Sequence, residues 1–318
     1  MIARRVLPLL VAATLVLGAV LALRPAPGQA QSTCDAPPQT GRQPYPDELS
    51  PVFVSAGNVT LGSAAPTPAL INKGYPNYVK TSPYVPCIVL YAVGYTESAW
   101  FQFDVNRYGD TGQTLISFDC GYGIMQITGS VYNNEHGRRV AGEPPYNIGM
   151  GVVSLINKWN ASPFVGGNDP AVPEDWYFAV WAYNGWGWVN NPNNSTRFES
   201  SRSPFNGTQP RSWYPYQELV WGFTGNPPSY GGKPMWPAVP LSLPPRSSVN
   251  QPVPDWIPRP LPAHEPCPSG PAPTPTFTPT ATLTPTRTPT PTLPYRPPVP
   301  VVGTPFYIPL LSRLSGGP

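Results

Sequence analysis

Four short blocks hold the residue types that could do chemistry. Tyr95-Thr96-Glu97-Ser98 sets a carboxylic acid beside a hydroxyl. Gly121-Tyr122-Gly123-Ile124-Met125-Gln126-Ile127 is a glycine-rich turn running into an apolar segment. Asn147-Ile148-Gly149-Met150-Gly151 and Ala182-Tyr183-Asn184-Gly185 add amides and a phenol. An acid that exchanges a proton with a bound molecule, positioned by hydroxyl and amide groups, is the equipment of general acid–base catalysis. Singly, each block is weak: a glutamate at a helix end is most often a solvated surface acid, and a tyrosine on an apolar face is most often core. Two further acids, Asp110 and Asp119, lie in the loop after Glu97 and read first as turn residues. Other chemistries find little support. His136 and His264 show no zinc-ligand spacing. No phosphate-binding glycine loop, nucleophile elbow or dinucleotide fingerprint is present. Cys120 with His136 would suit a cysteine nucleophile, but a disulfide is the more natural fate of Cys120.

The elements that must position these blocks can be read from local patterns. Pro86 suits a helix start, where its missing N–H goes unused. Val89, Ala92, Val93 and Thr96 then recur at helical spacing, which puts Glu97 at the end of that helix. Residues 104–119 read as a loop, with Gly109, Asp110 and Gly112 as turn signals. Asn147 can cap a second helix whose face carries Ile148, Val152, Leu155, Ile156 and Trp159. A third helix follows Pro173, with Glu174 and Asp175 in its first turn, where the helix dipole favours anions. Its apolar face is Trp176, Ala179, Val180 and Tyr183, and Asn184-Gly185 is a natural stop. A last short helix is predicted over 217–223. The fold class expected is mainly α, a helical domain with long loops.

In this order the four blocks resemble the soluble lytic transglycosylase domain of the goose-type lysozyme superfamily. That pattern has a Glu-Ser pair closing a helix, a Gly-Leu-Met-Gln block, an Asn-Ile-x-x-Gly helix and an Ala-Tyr-Asn-x-Gly turn. The resemblance covers about residues 83–187. Ile124 stands where Leu is usual, a volume-conserving change, and the loop from Trp100 to Cys120 is long.

The resemblance implies a lysozyme-like helical fold and a substrate, the glycan strand of peptidoglycan. Glu97 would be the general acid at the bond between N-acetylmuramic acid and N-acetylglucosamine, with its pKa raised by an apolar helix end. The muramyl 6-hydroxyl would close on its own anomeric carbon, giving a 1,6-anhydro sugar. Ser98 would orient the acid or substrate, and Met125 and Gln126 would line the cleft floor. Tyr183 would hydrogen-bond near the Glu97 carboxyl, and Asn184 would hold its turn or touch an acetamido group. Neither a metal nor an organic cofactor is implied.

Two alternatives stay open. One is a lysozyme-type hydrolase pairing Glu97 with a second carboxylate. Inverting glycosidases space such a pair about 6.5–9.5 Å apart to admit a water. Tyr108-Gly109-Asp110-Thr111-Gly112 is similar to a Gly-x-Gly-Asp-x-Gly element of goose-type lysozymes and makes Asp110 the first candidate, with Asp119 the second. The other alternative is a non-catalytic glycan-binding wall protein. Trp181, Trp186 and Trp188 cluster near the Tyr183 block, and flat rings stack on pyranose faces, although indole also fills cores.

Composition frames the rest. The chain has 318 residues, 50 prolines and only 11% charged side chains, which points to one globular domain with unstructured flanks. Residues 1–30 read as a signal peptide: Arg4 and Arg5, an apolar stretch, then Gly28-Gln29-Ala30; an uncleaved anchor is the rival. Without the three arginines of this leader, the 19 basic residues fall to 16, equal to the 16 acids, so nucleic acid is an unsuited partner. Residues 31–82 read as a Pro/Gly-rich extension that wraps the surface, 83–230 as the catalytic domain and 231–268 as a proline-rich extension. Residues 269–298 form a disordered Thr/Pro linker, and 299–318 a short apolar tail for cell-surface docking or for packing as a strand. Cys34, Cys87, Cys120 and Cys267 suggest two disulfides in a secreted or cell-envelope chain. Of three pairings, Cys34–Cys267 with Cys87–Cys120 is preferred.

Overall fold

The computed structural model describes residues 34–129, 131–250 and 255–264. The leader, the Thr/Pro linker, the apolar tail and Cys267 lie outside the described residues.

The chain enters through β1 (Thr40–Arg42) and α1 (Pro46–Gly57). α1 lies in the segment read as a surface extension. Leu49, Val52, Phe53 and Ala56 follow helical spacing and are buried. Two prolines and two acids obscure that period in the sequence, but Pro46 occupies the first turn, where proline is tolerated. β2 (Ile71–Lys73) and β3 (Val79–Thr81) pair as an antiparallel hairpin. α2 (Cys87–Ser98) follows Pro86 as the spacing predicts. Its residues from Cys87 to Gly94 are all buried, so α2 is central rather than amphipathic.

The expected loop 104–119 contains β4 (Thr111–Gln113), paired antiparallel with β1. α3 (Glu135–Gly142) leads into α4 (Pro144–Ala161). Asn147 does not cap α4: the helix begins at Pro144, and Asn147 is buried within it, where it serves tertiary contacts. β5 (Phe164–Val165) and a 3-10 turn (Pro173–Trp176) precede α5 (Tyr177–Tyr183). Glu174 and Asp175 therefore sit in the 3-10 turn, and both are buried, Glu174 hydrogen-bonded with the His264 ring and Asp175 ion-paired with Arg259, rather than solvated at a helix start. α6 (Tyr216–Gly225) contains the predicted 217–223 helix. The hairpin β6 (Ser229–Tyr230) and β7 (Lys233–Pro234) follows, and β8 (Trp256–Ile257) pairs parallel with β5.

Among the described residues the architecture is six helices with four two-stranded sheets, a mixed fold in place of the mainly α class expected, because short pairs of strands form in segments that read as loops. α2 packs on α6, α1 and α4, and α4 packs on α5. One hydrophobic cluster joins them, and both flanking segments contribute to it: Leu49 and Phe53 before α2, and Trp236, Val249 and Ile257 after α6. Trp236 stacks on Trp100 and Tyr91 at ring distances of 5.2 and 5.7 Å. Buried Glu218 of α6 takes a two-point contact from Arg202, at 2.6 and 2.8 Å, which ties down the polar loop before it.

Cys34 is bonded to Cys120. This corrects the preferred pairing of Cys34 with Cys267 and of Cys87 with Cys120. Cys87 is likewise disulfide-bonded. Spacing along the chain carries no information on which ends the core brings together. Among the described residues no helix is long and apolar enough to cross a membrane.

Candidate active site

Glu97 sits in the last turn of α2. The helix stops because Ala99 and Trp100 both adopt left-handed backbone, with φ of 53° and 64°. The Ala99 N–H donates back to the Tyr95 carbonyl at 2.9 Å. Such φ values are uncommon for residues other than glycine and are maintained only where packing over-determines them. Here the fully buried Trp100 ring does so. It packs 4.6 Å from Phe53, and its indole N–H donates to the Tyr91 carbonyl at 2.9 Å. Cys120 and Gln126, at the edges of the glycine block, also have positive φ.

The glycine block is bound to α2 and α4 by buried polar groups. The Ser98 hydroxyl donates to the Ile124 carbonyl at 2.9 Å. Asn147 accepts from the Met125 N–H at 2.8 Å and donates to the carbonyls of Tyr122 and Val140 at 2.7 and 3.0 Å. Gln102 accepts from the Ile124 N–H and donates to Val140 and Ala141. At Gly123, φ is 64° and a β-carbon would fall 2.3 Å from the Gln102 amide, so glycine is required there. Met125 is fully buried, and its side chain fills the space beside Gly94 and Gly151. It packs as core and does not line an open floor. The Gln126 amide donates to the Gly123 carbonyl at 2.8 Å and holds its own turn.

Glu97 as a residue is only partly exposed. Burial pushes its pKa up to about 7, against the opposing pull of a hydrogen bond from Tyr216 and the positive charge of Arg211; the negative charge of Asp119 adds to the rise. The Tyr216 hydroxyl donates to Glu97 Oε1 at 2.6 Å. The Arg211 guanidinium donates to the Thr96 carbonyl at 2.5 Å and lies over the Phe223 ring. Burial, and secondarily the Glu97 charge, hold the Tyr183 phenol well above its ordinary pKa, so it remains a donor. Its partner is the Met125 carbonyl, at 2.7 Å. Tyr183 is thus close enough to Glu97 to feel its charge, but the phenol bonded to the carboxyl is Tyr216. Tyr216 lies outside the four blocks, and the only sequence sign of it was the helix predicted to start one residue later.

The remaining site residues divide. Asn184 ends α5 and accepts from the Asn190 amide at 3.2 Å, which fastens the turn. Asp119, exposed and hydrogen-bonded by the Ser117 hydroxyl at 2.6 Å, is the second carboxylate whose charge reaches Glu97. Asp110 is exposed in the turn before β4, where its backbone carbonyl accepts from the Gln43 N–H at 2.8 Å; its charge is not among those acting on Glu97. Trp181 is fully buried, whereas Trp186 and Trp188 are exposed, with Trp186 packed 4.5 Å from Trp181. Cys120 is in a disulfide and offers no thiol, and His136 pairs instead with the Tyr146 hydroxyl at 2.8 Å. Among the described residues no group of three or more His, Cys, Asp or Glu side chains could hold a metal ion.

No family model matches the chain, and neither the curated proteins nor the solved structures give a match.

Proposed function

We propose that this helical domain is lysozyme-like and cleaves peptidoglycan glycan strands as a lytic transglycosylase. The observation that carries the reading is the setting of Glu97: a half-buried acid at a strained helix end, with its pKa raised to about 7 and a phenol fixed on one oxygen. Near neutral pH such a group exists in both protonation states, as one residue that must first give and then take a proton requires. Glu97 protonates the oxygen linking N-acetylmuramic acid to N-acetylglucosamine, and the bond from that oxygen to the anomeric carbon breaks. The muramyl 6-hydroxyl then bonds to the anomeric carbon, and its proton returns to the Glu97 carboxylate. No water is consumed and the acid is regenerated. Tyr216 keeps one carboxyl oxygen engaged, which leaves the other for the substrate.

The four-block resemblance supports this reading, as does the anchoring of the other three blocks to the glycine block through Ser98, Asn147 and Tyr183. A disulfide fits a secreted or cell-envelope location. The hydrolytic alternative is now better served by Asp119 than by Asp110, because Asp119 acts on Glu97 electrostatically. Mass spectrometry of purified peptidoglycan digested by the protein, beside Glu97→Gln, tests the proposal. Anhydro-muropeptides from the native protein alone are expected. Reducing-end products would mean hydrolysis, and no products with binding retained would mean a wall-binding protein.

A further inference from the structure

A second cluster of exposed rings lies away from Glu97. Tyr75, Tyr78 and Trp256 are 41%, 48% and 39% exposed, although each is a large apolar side chain. Phe164 joins them: its ring lies 5.6 Å from Tyr75 and 5.3 Å from Tyr78, and Tyr75 stacks on Trp256 at 5.9 Å with planes 16° apart. Single exposed apolar side chains are ordinary, but four contiguous rings drawn from three separate segments are not.

The rings are also held in place. The Tyr75 N–H donates to the Gly167 carbonyl at 2.9 Å, and the Trp256 indole N–H donates to the Gly166 carbonyl at 2.7 Å. Phe164 and Trp256 are register partners in the β5–β8 pair. Two neighbouring rings are thus fixed to one loop, which removes much of the ordering cost of binding. Beside them Lys73 meets Asp169 at 3.4 Å, both partly exposed, on the strands of chain that pair at Gly74 and Asn168.

A surface of ring faces edged by a donor and an acceptor suits a ligand with C–H groups on its face and hydroxyls at its rim, as a pyranose has. A proline-rich peptide offers apolar faces but few donors for the Asp169 carboxylate. α4 separates the two regions. Asn147, near its start, holds Met125 beside the Glu97 site, and Asn160, near its end, accepts from the Asn72 N–H of the hairpin under Tyr75. That stretch of helix is about 20 Å long.

We infer that Tyr75, Tyr78, Phe164 and Trp256 form a second glycan-binding platform that holds a strand of the polymer remote from the cleavage site. The ligand class rests on the proposed function, whereas the platform itself does not. The test measures retention of the full chain carrying Glu97→Gln on insoluble peptidoglycan, with and without Tyr75→Ala and Trp256→Ala. Roughly tenfold weaker retention is expected, the scale of one lost ring-stacking contact. Tyr75→Phe, which keeps the ring, should bind normally. Tyr78→Ala, at the exposed edge, should weaken binding by itself and decides the matter if the other variants fold poorly. Turnover of short soluble glycan fragments by the Glu97 protein should be unchanged by Tyr78→Ala. Ring-dependent retention without any cleavage by native protein would overturn the proposed reaction and leave the platform standing. Retention that ignores the ring substitutions would overturn the platform, as would binding of a Thr-Pro peptide copied from residues 274–292 in place of peptidoglycan.

Discussion

The Tyr216 hydroxyl donates a 2.6 Å hydrogen bond to Glu97 Oε1 across 119 positions of sequence. It links the first turn of α6 to the last turn of α2, the two helices that pack most extensively on each other. The bond favours the ionised carboxyl and so opposes the burial that raises its pKa.

Tyr216→Phe removes that opposition. The Glu97 pKa should rise above about 7, by roughly one pH unit for the loss of a charge-assisted bond. Carboxyl NMR titration checks this, and the alkaline limb of any activity profile should move upward in step. A downward move would mean that the bond does not stabilise the carboxylate.

Glu97 also ties stability to pH. Its folded pKa of about 7 exceeds its ordinary 4.5, so the folded state binds the proton more tightly than the unfolded one. The associated stability is fully present below pH 4.5 and is lost as pH rises through 7. Glu97→Gln should therefore be more stable than the native protein above neutrality, by about 3 kcal/mol, with the difference vanishing in acid. Paired denaturation curves at pH 4 and pH 8 measure it.

Arg259 makes a two-point contact with buried Asp175, with both distances 2.7 Å. Arg259→Ala leaves a buried acid without its cation and should cost about 3–5 kcal/mol in urea denaturation. Adding Asp175→Asn should restore part of that loss. Equal destabilisation by single and double variants would show that packing, not charge, is what Arg259 supplies.

The Cys34–Cys120 bond closes 86 positions of chain and anchors the entry segment beside the glycine block. Replacing both cysteines by serine should cost about 2–4 kcal/mol of stability. Because Cys120 directly precedes Gly121, proteolysis near the block should also quicken, as limited digestion would reveal.

Asn147→Ala removes both a donor and an acceptor from a fully buried position, stranding the Met125 N–H and leaving the Tyr122 carbonyl with the Ile127 N–H as its remaining partner. A loss of about 2–4 kcal/mol is expected by chemical denaturation. Asn147→Asp, which retains the acceptor alone, should lose less than Ala if the Met125 bond dominates.

Local pattern sufficed wherever neighbours in sequence decide the outcome. The spacing from Pro86 to Thr96 places Glu97 at the end of a buried helix, and the Ala182–Gly185 turn closes α5 as its residues suggest. Proline and charge masked the same logic in α1, whose buried face at Leu49, Val52, Phe53 and Ala56 is as regular as any other. Tertiary packing alone decided which phenol reaches the acid, which carboxylate lies near it, and which cysteines meet. Helix periodicity reflects contacts one turn apart, whereas Tyr216 with Glu97 and Cys34 with Cys120 are contacts between distant segments. Their partners are selected by how the core closes, and it closes through Trp236, Val249 and Ile257 from a segment whose composition hides its role.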